Sequence, residues 1–172
     1  MKEIIALYPH FLGMIAISFF VCSIQFKEKN KILLFQLTAN VIYAISYVIF
    51  KAYSAVFTNI ISALRCLLYS IFESKNKKIP IILPIIFILI SLIIGFYLYE
   101  NLLSLLPILI SIIYIISAYQ KNQKVIKVCF IICGFIWFYF NFKVQAYICM
   151  VGNVFEIISG THALSKLKKR QN

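Results

Sequence analysis

Two long apolar stretches each carry a charged residue in their interior. Arg65 lies in AYSAVFTNIISALRCLLYSIF (Ala52 to Phe72), and Glu156 lies in AYICMVGNVFEIISGTHALSK (Ala146 to Lys166). An unpaired charge at mid-membrane costs at least about 2.5–3.5 kcal/mol on insertion scales. A partner of opposite sign at matching depth offsets that cost. Each residue stands roughly a dozen positions into its stretch, so the expectation is that Arg65 and Glu156 approach each other, directly or through water. The chemistry on offer is solute binding or gating, with Glu156 able to exchange a proton. The plainer reading is a buried pair that fixes how two helix bundles dock.

Around these charges stand side chains suited to hydrogen bonding and stacking. Asn40, Asn59, Asn141 and Asn153 supply amide donors and acceptors, Ser62 a hydroxyl, and Tyr43 and Trp137 flat faces. With Arg65 and Glu156 they make up the candidate solute-binding set, fitted to a small neutral or zwitterionic compound such as a sugar or a nucleoside-like molecule. The alternative is ordinary interhelical hydrogen bonding, worth about 0.6 kcal/mol per contact. His10 and His162 fall near helix ends and are expected to be interfacial.

Enzymatic chemistry finds little support. One intramembrane carboxylate excludes a paired-acid mechanism, no Gly-rich phosphate loop occurs, and Ser104 and Ser111 have no histidine in their segment to activate them. Cys129 and Cys133 are one helical turn apart without a histidine or carboxylate beside them, so all five cysteines read as packing groups. Neither a metal nor a cofactor is expected.

These residues have to be positioned by helices in a bilayer. Of the 172 residues, 63% are hydrophobic and 13% charged, against roughly 25% charged in an average soluble domain. The mean hydropathy is +0.95. The net charge of +12 arises from lysines in short gaps between apolar runs, which argues for topology determinants rather than nucleic-acid binding. The N-terminus lacks the cleavage site of a signal peptide and is read as a mature helix.

A span of about 17–25 mostly apolar residues identifies seven segments: Tyr8–Phe26, Ile32–Phe50, Ala52–Phe72, Ile79–Tyr99, Leu102–Tyr119, Val125–Phe142 and Val144–Leu164. Thirteen basic residues lie on one side of these segments (Lys27, Lys29, Lys31, Lys75, Lys77, Lys78, Lys121, Lys124, Lys127 and the tail from Lys166 to Arg170) and three on the other (Lys2, Lys51, Lys143). The positive-inside rule then puts the N-terminus outside and the C-terminus in the cytoplasm. Lys51 and Lys143 mark nearly absent outer turns, each closing a tight helical hairpin.

The chain also repeats itself. At an offset of 94 positions, Ala52-Tyr53 recurs as Ala146-Tyr147 and Asn59 as Asn153. Gln36, Asn40, Tyr43 and Tyr47 form one narrow face at i, i+4, i+7 and i+11, answered by Phe130, Gly134, Trp137 and Asn141. Thr58, Asn59, Ser62, Arg65 and Cys66 share an arc of the third helix. Gln145, Cys149, Gly152, Asn153, Glu156, Ser159 and Gly160 share the corresponding arc of the seventh. The fourth segment has no counterpart and reads as an inversion linker. The expected fold is all-α transmembrane: a three-helix bundle (1–78), a linker helix (79–101) and a second three-helix bundle with a basic tail (102–172), parallel to the first.

This arrangement resembles the SWEET and PQ-loop transporter superfamily, and within it the bacterial inner membrane protein YgjV family. The residues that carry the likeness are LGMIA with Gly13, the stretch QLTANVIYAISYVIFKAYSAVFTNIISALR ending in Arg65, and WFYFN with Trp137 and Asn141. The resemblance implies a seven-helix 3+1+3 fold, asparagines of the third helices and aromatics of the second lining a cavity, and sugar-like solutes. The chain departs from the pattern where the superfamily has Pro-Gln: here stand Ile24-Gln25 and Tyr119-Gln120, with Pro107 the nearest proline. The leading expectation is a multi-pass protein of the bacterial cytoplasmic membrane that carries a small polar solute by alternating access. The alternative is a non-transporting accessory, stress or immunity protein. Its partners are the lipid bilayer and an unidentified solute; nucleic acid is not expected, and a homo-oligomer is compatible with the sequence.

Overall fold

The computed structural model describes residues 2–120 and 122–169, with side chains described for 8–120, 122 and 124–166. Lys121 and Arg170 lie outside the described residues, as do the side chains of Lys2, Lys168 and Lys169. The described secondary structure is helical throughout: α1 (Lys2–Gln25), α2 (Lys29–Ile49), α3 (Tyr53–Ser74), α4 (Ile82–Tyr97), α5 (Leu105–Tyr119), α6 (Gln123–Lys143) and α7 (Tyr147–Lys169). A 3-10 turn at Leu102–Ser104 leads into α5 and is capped by Asn101, whose side chain accepts from the backbone of Leu103 and Ser104. Pro107 falls in the first turn of α5, where no intrahelical donor is required of it.

Five helices are long and apolar enough to cross a membrane: α1, α2, α3, α5 with its leading turn, and α6. Two segments differ from expectation. The fourth is shorter than 79–99, because residues 79–81, Pro80 among them, and residues 98 and 99 stay outside the helix. Its 16 residues span about 24 Å, less than the roughly 30 Å of a hydrocarbon core. The seventh falls outside the long apolar set because its interior carries Asn153, Glu156, Ser159 and Thr161.

Helix packing follows a closed circuit. α2 lies between α1 and α3, α6 lies between α5 and α7, and the circuit closes through contacts of α1 with α7 and of α3 with α5. α4 packs on α5 and α3. The segments after α1, α3 and α5 converge on one basic crevice lined by Lys29, Lys77, Lys78 and Asn122. Those after α2, α4 and α6 converge at another, lined by Lys51, Asn101 and Val144. Apolar side chains such as Val41, Ile45, Leu64, Ile93 and Phe155 face outward, the inverse of a water-soluble protein and the arrangement a bilayer requires.

The repeat is written into the backbone. At the end of α2, Lys51 N–H donates to the Val48 carbonyl and Ala52 N–H to the Tyr47 carbonyl. At the end of α6, Gln145 N–H donates to Phe142 and Ala146 N–H to Asn141. These are the same bonds 94 positions on, and both chain reversals use a left-handed residue, Lys51 at φ 55° and Gln145 at φ 60°. The pattern is the helix-ending motif that normally favours glycine at this position. The turn between α6 and α7 is thus at Val144 and Gln145, with Lys143 ending α6, and Gln145 is exposed in the turn rather than on the polar arc of α7. The starts of α2 and α6 also match: Glu28 and Asn122 are both extended N-caps (φ −77°, ψ 117° and φ −76°, ψ 110°).

The two closing contacts are unequal. A Cβ on Gly13 would sit 2.8 Å from Cys149 Sγ, and one on Gly152 would overlap the Ile17 side chain. At the α1–α7 seam the space over each glycine is thus already filled by a side chain of the facing helix. The offset-related positions on the α3–α5 side include Thr58, Pro107 and Ser111, all of which line a cavity.

Candidate functional site

The polar arcs of the helices meet inside the circuit. Tyr47 hydroxyl donates to Asn141 Oδ1 at 2.7 Å, joining two positions separated by the repeat offset of 94. Asn141 Nδ2 donates to Asn153 Oδ1 at 2.8 Å, and Asn153 Nδ2 donates to Glu156 Oε2 at 3.2 Å. The other carboxylate oxygen, Oε1, accepts from the Tyr114 hydroxyl at 2.9 Å. Every link thus donates toward Glu156. Hydrogen bonds chained in one direction in a low-dielectric interior polarise one another, and the buried carboxylate is where that polarisation ends.

An aromatic stack runs beside this chain. The Tyr47 ring lies nearly parallel to Trp137 (5.8 Å, 13°) and to Tyr43 on the preceding turn (6.1 Å, 24°). Phe20 and Tyr114, again related by the offset, face each other at 6.0 Å. Between stack and polar chain lies a cavity of about 30 Å³, lined by Asn40, Tyr43, Asn59, Ser62, Trp137, Asn141, Asn153 and Glu156, together with Tyr47 and Tyr114. Since one water needs roughly 10–15 Å³ of such space, it holds about two.

Eight of the nine residues singled out in the sequence therefore line one cavity. Arg65 is the exception. It is 2% exposed, and its guanidinium donates to the Tyr114 carbonyl at 2.5 Å and to Cys66 Sγ at 3.7 Å. The expected approach of Arg65 to Glu156 takes a different form, and no ion pair between them exists among the described residues. Tyr114 intervenes: its backbone holds the arginine and its hydroxyl holds the glutamate. Two side chains at equal depth can still face different neighbours, because depth follows from spacing while azimuth follows from how the helices pack.

Other polar residues stay within their own neighbourhoods. Asn59 Nδ2 bonds the Ala55 carbonyl of its own helix at 2.8 Å, and Asn40 Nδ2 contacts Cys66 Sγ at 3.9 Å. Gln25 donates to Ser159 between α1 and α7. His10 packs edge-on to Phe50 at 5.3 Å, and His162 is exposed. Tyr114 is a site residue that the sequence reading omits, and Tyr47 one that it places on the polar face of the second helix but not in the candidate set.

Residues 7–171 match the family Imp-YgjV, described as bacterial inner membrane protein. The chain belongs to the YgjV family. It is thus a multi-pass protein of the bacterial inner membrane, in keeping with its candidate spans. No curated protein and no solved structure matches the chain. In this YgjV-family protein the match runs through both halves and includes every residue of the polar chain.

Proposed function

We propose that this YgjV-family protein carries a small, polar, hydrogen-bonding solute across the inner membrane by alternating access between two parallel three-helix bundles, 1–78 and 102–172, joined by the linker 79–101. The observation that carries this reading is the central cavity, lined by amide, hydroxyl and aromatic groups from both halves and by one buried carboxylate. Helix packing supports the parallel-bundle part. Under the offset, α1–α2 corresponds to α5–α6, α2–α3 to α6–α7, and α1–α7 to α5–α3, so each major contact in the circuit has its counterpart. The likeness to SWEET and PQ-loop transporters points the same way, as does the basic bias that puts the N-terminus outside.

Transport requires the two-water cavity to enlarge. The α3–α5 side is where this is easiest, because cavity-lining residues already separate those helices, whereas the α1–α7 seam is closed by Gly13 and Gly152. Glu156 supplies a site that can take up a proton, and Asn59 faces the cavity without belonging to the polar chain.

Uptake into liposomes containing the purified protein, screened over sugars, nucleosides and vitamins, tests the proposal. Saturable uptake of one solute class is expected, accompanied by a thermal shift with that solute. Asn59→Ala should abolish uptake while leaving the melting temperature nearly unchanged, since the bond its amide makes among the described residues is to its own helix. No uptake and no thermal shift across the screen would overturn transport. The cavity volume of about 30 Å³ and the absent Pro-Gln hinges favour the second reading, a non-transporting accessory, stress or immunity protein. A stoichiometric protein partner recovered from membranes, with no uptake, is its expected signature.

A further inference from the structure

A second, separate cavity of about 20 Å³ lies at the backbone end of Tyr114, and Gln36, Arg65, Ser117 and Lys29 are among its lining residues. Three buried atoms of these side chains have no hydrogen-bond partner among the described residues: Gln36 Nε2, Arg65 Nε and Ser117 Oγ. The residues are 4%, 2% and 1% exposed respectively. The first two atoms can only donate and the third is able to. A buried donor left unmade forfeits its hydration without replacement, so three around one small space is a pattern that calls for an acceptor.

The charge argues in the same direction. The partners of Arg65, the Tyr114 carbonyl and the Cys66 thiol, are neutral. The ion pairs among the described residues are Lys29–Glu73 and Lys31–Glu28, at the ends of helices. Glu156, the buried acid among the described residues, is held by Asn153 and by the hydroxyl of Tyr114, the opposite end of that residue from the carbonyl that holds Arg65. A water in the second cavity would satisfy donors but leave the guanidinium uncompensated in the membrane interior. An anion does both.

We propose that Gln36, Arg65 and Ser117 bind a compact monovalent anion of the chloride class as the counter-ion of Arg65. The volume admits one small ion and excludes sulfate or an organic acid. Lys29 lines both this cavity and the basic crevice that holds Lys77 and Lys78, which gives the anion a positively charged approach despite Glu73, 3.8 Å from Lys29. The site stands whether or not the protein transports a solute.

Purified full-length protein in detergent, exchanged into gluconate and titrated with chloride or bromide at constant ionic strength, provides the test. A saturable rise in melting temperature is expected for chloride and bromide and none for sulfate. Ser117→Ala and Gln36→Leu should each raise the half-saturating concentration several-fold, and Arg65→Met should remove the dependence. If Arg65→Met does not fold, the other two variants decide. Anomalous scattering from bromide should place the ion beside Arg65 Nε. Stability indifferent to the anion, an unaltered response in both Ser117→Ala and Gln36→Leu, or a bromide-soaked crystal with only water in the cavity would each overturn the proposal.

Discussion

The side chain on which the site turns is Tyr114, because it touches two buried charged residues, Arg65 and Glu156, by different atoms. Its hydroxyl serves Glu156 and its carbonyl serves Arg65, so one substitution separates them. Tyr114→Phe should leave the arginine in place and cost about 1–2 kcal/mol, measured by reversible denaturation in mixed micelles. Asn153→Ala should cost more, since it strips a donor from Glu156 and an acceptor from Asn141 at once. Equal losses from the two variants would argue against a connected chain. In the sequence, Tyr114 sits in LLPILISIIYIISAY, where a tyrosine among isoleucines is not conspicuous as a polar group. The usable signal was its counterpart 94 positions earlier, Phe20, which differs by the hydroxyl alone. The asparagines and Glu156 were legible because a polar group in an apolar run is conspicuous by itself. Their partners were not, because hydrogen bonding across helices depends on rotations that spacing does not encode.

At the level of helices, segment number and approximate limits followed from hydropathy, while ends followed from local chemistry that hydropathy ignores. Pro80 holds back the start of α4, and Asn101 organises a separate turn before α5. The paired chain reversals are a sharper case. Lys51 and Gln145 both adopt left-handed conformations that cost a side-chain-bearing residue about 1 kcal/mol relative to glycine. Lys51→Gly and Gln145→Gly should therefore each raise stability by up to about that amount, and by similar amounts, as judged by denaturation midpoints. The α1–α7 seam makes the opposite prediction. Gly152→Val should destabilise by about 1–3 kcal/mol through overlap with Ile17, and Ile17→Ala should recover much of the loss. A Gly152→Val protein of unchanged stability would mean that this seam is looser than the described packing.

Across the whole molecule, the repeat could be read from the sequence as a rhythm of polar positions, and the structure shows it again in backbone bonds and in the circuit of helices. The orientation in the membrane rests on the lysine count and is open to direct measurement. Cysteines introduced at Lys75 or Lys77 in a background without the native thiols should resist an impermeant thiol reagent in intact cells and react in inverted vesicles, while one at Lys51 should behave oppositely. The reverse pattern would invert the topology. Finally, the halves have diverged where it matters most: Ser62 stands opposite Glu156 in the repeat, and Arg65 opposite Ser159. A homodimer of the N-terminal half would gather two guanidiniums and no acid at its centre, and one of the C-terminal half two carboxylates and no arginine. Neither half would be self-complementary, so each expressed alone should fail to assemble, whereas the two unlike pieces expressed together should reconstitute the protein.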